Sequence, residues 1–560
     1  MKEKQGLGTA SEPERAGGEE GCCPYQPPDD PTYRCGRPPK WGGSCIFHCQ
    51  KRERRKDHVI AEIQRLHLVE EFWKEFEQLL EKLQTDDGVR ECDFRGFQFP
   101  ESFLGLAFQK PVNFCWAVFA EVASFKATEF SESVDFSHSR FQALAEFQSV
   151  SFKGDLRLCN AVFSGAVFFR DTVFEGSSVF SKSIFTLGAH FDNVEFCGTV
   201  QFQEITAAER LEFLVSRFRT GVDFSGAQLG GKLDWIDVNC EGEANFEDAV
   251  FDGGAAFINV VFDCDARFSR AVLKAGVSFF ENRFEGIADF TAVEMARLVH
   301  FHNECERRPF RAGLYMRRLR IGHEAEVIME RVNLDGASFL DSNIERVNFR
   351  DVRWHQTRRG AFFFGRGRRA LCDEFVCLEF EKVAENYRQL VLNYERKRDY
   401  EGAEDFHVGE MEMRRRGIGS GTTSRWRGFV REWCNGYACY RILSGYGTNY
   451  WQALLVLLLM VVGLSGAFLL CGFVEGSGEQ KRVIEYELVP DQEHRPTPIG
   501  ALIGDYAHST LFTLSILAFR SSGFYEPLGG WSLLLGYITR VMLSGQIALV
   551  LFAIRRRFRR

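Results

Sequence analysis

Phenylalanine returns through the middle of this chain at alternating intervals of five and six residues, beginning in the stretch VNFCWAVFAEVASFKATEFSESVDF (Val112–Phe136). The beat runs Phe114, Phe119, Phe125, Phe130, Phe136, Phe141, Phe147 and Phe152, breaks at Leu158 and Ala207, and ends at Phe301. From Phe114 to Phe301 is 187 residues, or seventeen units of eleven with no net slip. A helix needs apolar positions three and four apart, so this spacing lines no helical face. Two residues before most of these rings stands a small or β-branched residue: Ala117, Ala123, Thr128, Val134, Ser139, Ala145 and Val150. Such a pair shares one face of a strand. Each unit therefore turns a large and a small side chain inward over about three residues, then corners. Self-similarity at a fixed period marks a solenoid, and rings such as Phe141, Phe152, Phe163 and Phe174 are expected in its core.

After an interruption the chain reads VNLDGASFLDSNIERVNFRDVRW, with Leu334, Phe339, Ile344, Phe349 and Trp354 at an unbroken five. That stretch resembles the pentapeptide-repeat family, whose repeat is roughly A-(D/N)-L-x-x. The Phe114–Phe301 part looks like its phenylalanine-rich variant. The resemblance implies an all-β, right-handed quadrilateral β-helix over residues 92–354, with an insertion near 303–328. Two eleven-residue units per coil would give about 8.5 coils between Phe114 and Phe301, a rod roughly 40 Å long.

Before the repeats, residues 1–20 are charged and glycine-rich and read as disordered. Residues 21–56 hold Cys23, Cys35, Cys45 and His48 on a background rich in proline and glycine. A segment unable to form an apolar core is where a structural zinc helps most. Cys22 and Cys49 compete as ligands, and reduced thiols are the plain alternative. The segment is similar to a short Cys/His stretch, ending in CIFH, that precedes the repeats of several membrane-linked pentapeptide proteins. Residues 57–91 read as an amphipathic helix that caps the solenoid, with Val59, Ile63, Leu66, Phe72, Phe76, Leu79 and Leu83 along one side. Residues 355–420 hold a helical hairpin similar to one tetratricopeptide unit, which has to dock on the solenoid, a copy of itself or a partner.

The tail reads as membrane. Residues 451–474 carry no charge, and 531–554 form a second apolar stretch; a bilayer core needs about 20 such residues. Arginines in the juxtamembrane segment 421–450 and the basic tail 555–560 flank the two stretches. The 475–530 connection carries eight acidic and four basic residues. Positive-inside bias puts both termini in the cytoplasm of a multi-pass protein of the cell (inner) membrane. Seventeen scattered cysteines agree with a reducing compartment. Two spans around an apolar segment resemble the two-helix ion-channel pore domain, with a re-entrant pore helix at 506–518. The potassium-channel T-V-G-Y-G is absent. At the matching place stand Arg520, Ser521, Ser522 and Gly523, with Arg540 and Gly545 on the second span as further pore candidates. Asp505 and Glu526 are candidate partners for Arg540, whose charge costs about 2.5–3.5 kcal/mol at mid-bilayer.

No phosphate loop, G-x-S-x-G or H-E-x-x-H occurs, so an enzyme is not expected. His300 and His302 share a strand face, an ordinary surface pattern when two exposed histidines stand alone. The leading expectation is a homo-oligomeric channel-like protein in the lipid bilayer, with a cytoplasmic β-helical sensing or scaffold domain and an unknown cytoplasmic protein partner. The alternative is a non-conducting anchored scaffold. Net charge over 92–302 is 17 basic minus 29 acidic, or −12. That charge permits nucleic-acid mimicry toward a gyrase, but a membrane tether fits this poorly, and binding of nucleic acid itself is disfavoured.

Overall fold

The computed structural model describes residues 23–28, 32, 34–35, 37–38, 44–48, 58–100, 103–104, 106–303, 310–357, 367–420, 430–476, 481–486, 499–517 and 524–558. The segment read as disordered, residues 1–20, lies outside them. The chain divides into two units, one of residues 1–338 with 346–353 and one of 339–345 with 354–560.

The first unit is a β-solenoid of about eleven turns. Its strands fall into four parallel sheets of 12, 11, 12 and 9 strands, and each sheet takes every fourth strand of the chain until the last coils, where the step shortens. Three sheets are built mainly from two-residue ladders; the third has four-residue strands such as Ala145–Gln148 and Val167–Arg170. The expected three-residue strand is thus split into shorter and longer sides.

The corners explain why the period is eleven. Residues Trp116, Ala127, His138, Ser149 and Asn160 all have φ between 54° and 63°, and the left-handed position recurs every eleven residues as far as Ala292. Each lies on a five-residue side and is the third residue of a tight turn, as where the Ala117 N–H donates to the Phe114 carbonyl at 3.0 Å. The six-residue sides use one residue more and have no such recurring position, though glycines at Gly188, Gly221 and Gly254 take positive φ there. The wide corners stack so closely that a Cβ on Gly176 would sit 2.5 Å from the Gly154 carbonyl carbon. Left-handed backbone at a side-chain-bearing residue costs about 1–2 kcal/mol, so coil-to-coil packing has to outweigh it twice per turn.

That packing is aromatic. Phe125, Phe147, Phe169, Phe191 and Phe213 form one column with centroid steps of 4.6–4.8 Å, the spacing of neighbouring strands. Phe130, Phe152, Phe174, Phe196 and Phe218 form another. The named inward rings and their small partners, Ala117 to Val150, are all buried. Where Cys240 replaces a ring in the second column, the Trp235 indole leans in, 5.3 Å from Phe218 and 6.2 Å from Phe262.

The beat starts one coil earlier than the sequence suggests. Phe94, Phe97, Phe99 and Phe108 are fully or almost fully buried, and Cys92 pairs with Val112 after a 20-residue step. The insertion near 303–328 does not stop the ladder: Ile287 pairs with Gly313 and Val299 with Val327, after steps of 26 and 28 residues. Val327 then pairs with Val347, a 20-residue coil that matches the unbroken fives. Helix His58–Thr85 covers the first coil. Phe76 meets Phe94 at 5.0 Å, and Phe72 and Phe76 each meet Phe99 at 5.6 Å. Its buried side holds Val69 and Leu80; Leu79 and Leu83 are half-buried, and the side chains of Val59, Ile63 and Leu66 lie outside the described residues.

In the second unit, helices Phe380–Arg396 and Tyr400–Ser420 form the expected hairpin, burying Val383, Tyr387, Leu390, Tyr394, Ala403 and Phe406. It docks on Phe339–Glu345. The Asn386 side chain donates to the Phe339 carbonyl at 2.6 Å, Asn393 donates to the Glu345 carbonyl at 2.9 Å, and Gln389 accepts from the Ile344 N–H at 2.8 Å. These amides supply the hydrogen bonds a neighbouring strand would otherwise give.

His407 on the second helix of the hairpin is largely but not fully buried, and this burial, reinforced by the charge of Arg556, pulls its pKa down to about 4 even though Glu410 lies 4.0 Å away. A neutral buried histidine stabilises the fold above its unfolded pKa, and that stability is lost as pH falls from about 6.5 toward 4. Detergent-solubilised protein is expected to lose about 1 kcal/mol from this group between pH 6.5 and 5.5. His407→Gln should flatten that part of the stability profile; an unchanged slope would remove His407 as its source.

Candidate metal centre and apolar helices

Cys23, Cys35, Cys45 and His48 come together, with one ligand atom from each within 4.8 Å of the others. The Cys45 and His48 positions are set by a turn in which the His48 N–H donates to the Cys45 carbonyl. Cys23 is drawn in by its own N–H, which donates to the Arg37 carbonyl at 2.9 Å. The His48 Nδ1 lies 3.2 Å from Cys45 Sγ and 3.6 Å from Cys23 Sγ, and Cys35 Sγ is 3.6 Å from Cys45 Sγ.

His48 Nε2 faces the Arg95 carbonyl at 3.1 Å. A carbonyl only accepts, so Nε2 carries the proton and Nδ1 turns a free lone pair toward the three sulfurs. The hydrogen bond from Cys35 pulls the Cys45 thiol down to about 3, with His48 adding to the effect. The same bond drives Cys35 up, and burial raises Cys23. The cluster thus already favours one thiolate. These residues fit a four-coordinate metal with no open position, the pattern of a structural rather than a catalytic site. The competing Cys22 and Cys49 lie outside the described residues.

Arg95 and Tyr25 were not legible as parts of this site. Arg95 acts through its backbone carbonyl, which carries no sequence signature. The Tyr25 ring stacks on His48 at 4.0 Å and covers Gly96, where a Cβ would fall 1.9 Å from the ring. Gly96 has φ +68° and begins the left-handed corner series. The site is therefore keyed to the first coil, and the Gln98 N–H donating to the Phe47 carbonyl at 2.7 Å continues that attachment.

In the second unit, helices Tyr450–Cys471 and Gly530–Arg557 are long and apolar enough to cross a membrane. Their outward side chains are bare: Trp451 is 69 % exposed, Trp531 79 % and Val541 75 %. They pack on each other, and helix Ile499–Leu517 packs against both. Its Tyr506 hydroxyl donates to the Val462 carbonyl, its Ser509 hydroxyl to the Ser465 carbonyl, and its Phe512 meets Phe468 at 4.9 Å. Contacts advance in step along both helices, so the two run parallel. A pore helix returning into the membrane from the loop would run the other way, and it would be shorter than this 19-residue helix. The re-entrant course expected for 506–518 is thus not shown by this helix, which is longer than expected and runs parallel to the first span.

Arg520, Ser521, Ser522 and Gly523 lie outside the described residues. Arg540 is half-buried at the margin of the stripe formed by Thr539, Leu543 and Gln546. Its expected carboxylates serve other groups: Asp505 takes Arg482 and the Tyr486 hydroxyl at 2.8 and 2.7 Å, and Glu526 takes Lys481 at 2.7 Å. Gly545 is exposed on an unbroken helix and does not interrupt the span. Strands Arg482–Ile484 and Tyr525–Pro527 both pair with Phe473–Glu475, tying the connection to the end of the first span.

No curated protein and no solved structure matches the chain. Residues 160–206 and 236–281 match the family model described as pentapeptide repeats. Both segments lie inside the four-sheet ladder, so the chain carries a pentapeptide-repeat β-solenoid, with two candidate membrane-spanning helices beyond it.

Proposed function

We propose that this is a two-span protein of the cell membrane whose apolar helices assemble with copies of themselves into an ion-conducting, channel-like module. The solenoid is then a cytoplasmic sensing or scaffold domain, and the Cys₃His cluster holds a structural zinc. The carrying observation is Arg540. It is a charge deep within an apolar helix whose outward side chains are exposed, and at that depth a charge belongs in an interior. The buried seam of Ser465, Ser509 and Thr513 supports the reading, since small polar residues hold helices together in lipid.

A second reading, the non-conducting anchored scaffold, is favoured by the parallel course of the middle helix. Reconstitution into planar bilayers decides between them. A conducting module should give currents whose gating or assembly changes with Arg540→Leu and whose selectivity moves toward cations with Arg520→Glu. In an anchor, Arg540→Leu should only ease insertion, by about 2.5–3.5 kcal/mol. Absence of current from inserted, oligomeric wild type would leave the anchor standing.

Topology is tested separately. A reporter after Arg560 should be cytoplasmic, and a cysteine at Glu487 should label from outside; the reverse pattern would overturn the orientation.

A further inference from the structure

A second cluster sits on the outer face of the solenoid, far along the chain from the cysteines. His300 and His302 belong to strand Val299–His302, and Glu330 ends strand Val327–Glu330, directly in register with His302. His300 Nε2 lies 3.2 Å and His302 Nδ1 3.5 Å from the same oxygen of Glu330. One ligand atom from each of the three residues lies within 4.8 Å of the others. A tetrahedral ion held at about 2.1 Å by its ligands separates them by about 3.4 Å, close to the two distances found.

An ordinary outward pair on this same sheet looks different. His190 meets Glu212 at 2.9 Å, with one histidine and one carboxylate. At the second cluster, two imidazoles on one strand converge on one carboxylate oxygen. The His302 ring is held from below by Phe280, parallel at 4.8 Å, and Glu281 approaches its other nitrogen at 4.0 Å. At that distance the carboxylate favours the proton on Nε2 by its charge rather than by a hydrogen bond, which leaves Nδ1 to ligate.

Sequence spacing hides the arrangement. At the regular step of 22, His302 would face Glu324; the long coil makes the step 28 and brings Glu330 instead.

We propose that His300, His302 and Glu330 form a second metal site, for a divalent ion of the zinc class. Two imidazoles and a carboxylate suit such ions, and three protein ligands leave a position open. All three side chains are partly exposed, at 31 %, 20 % and 28 %, so that position is reachable by water or an outside ligand. The site is separate from the Cys₃His cluster and does not depend on conduction.

Cobalt(II) added to the untagged full-length protein in detergent distinguishes the two sites. Binding at the cysteine cluster produces thiolate-to-cobalt charge-transfer absorption, whereas the second site gives only weak ligand-field bands. The expected result is about one equivalent of cobalt bound without the charge-transfer signal, weakened roughly tenfold or more by His302→Ala and by Glu330→Gln. Glu330→Gln keeps the side chain's size and one accepting oxygen, so its loss of binding reports ligation rather than misfolding. Absence in the wild type of any bound cobalt beyond that which gives the charge-transfer signal, or binding by both variants equal to that of the wild type, would overturn the site.

Discussion

Full-length protein carrying Cys45→Ser is expected to lose about one equivalent of bound zinc and, with it, the ordered start of the solenoid. Cys45 is the sulfur nearest both His48 and Cys35, and its thiol is the most acidic of the three. Without it the remaining donors cannot close a four-ligand shell. Structural zinc in small domains is worth about 10–16 kcal/mol of apparent binding energy at neutral pH. Less should appear here as lost global stability, because Phe47 on Phe97 at 4.6 Å and Phe72 against Phe99 hold part of the segment by packing alone. Hydrogen exchange should therefore rise at Phe94–Phe99 and leave coils beyond Phe141 protected. Metal analysis of wild type purified without chelator is the direct check; a metal-free but fully folded protein would set the zinc assignment aside.

Phe191→Ala is expected to destabilise the solenoid by about 3–5 kcal/mol. The Phe191 ring is fully buried, stacks on Phe169 at 4.8 Å and Phe213 at 4.6 Å, and takes Phe180 and Phe202 edge-on. Neighbouring coils are fixed by ladder hydrogen bonds at this spacing and cannot collapse into the void. Phe191→Leu should cost less because much of the volume stays. Chemical denaturation of the two variants, followed by circular dichroism, reads the difference. Equal and small losses would show that the column is not what holds successive coils together.

The solenoid was legible because its period is a packing constraint: every ring that fills the axis has to recur at the same place on each circuit. The first coil lay within the expected 92–354 span, but its rings were not counted in the beat because their five-residue steps differ from the alternation, although Phe94 and Phe99 are as buried as the rest. The Trp235–Cys240 exchange was missed because a counting rule sees two departures, whereas the core sees one filled volume. Cys23, Cys35, Cys45 and His48 could be named from residue type alone. The Arg95 carbonyl that orients His48 could not, since every residue has one. The course of the middle helix was beyond reach for a different reason: apolar composition gives length, and only the Tyr506–Val462 and Ser509–Ser465 contacts give direction. Glu330 escaped because the pairing step changed from 22 to 28 residues just before it.

The alternation of tight and wide corners also makes the molecule modular in a particular quantum. Phe169 stands under Phe191 and Val173 under Glu195, each a step of 22. Excising 22 residues from the regular region would remove one storey and leave every face with its own neighbours, shortening the ladder by about 4.8 Å. Excising eleven would preserve the beat of phenylalanines yet carry everything downstream half a circuit around the axis. Outward residues of one sheet would then continue on the opposite one. A chain built this way can vary in length between relatives only by whole storeys if the surface it presents is to stay in place.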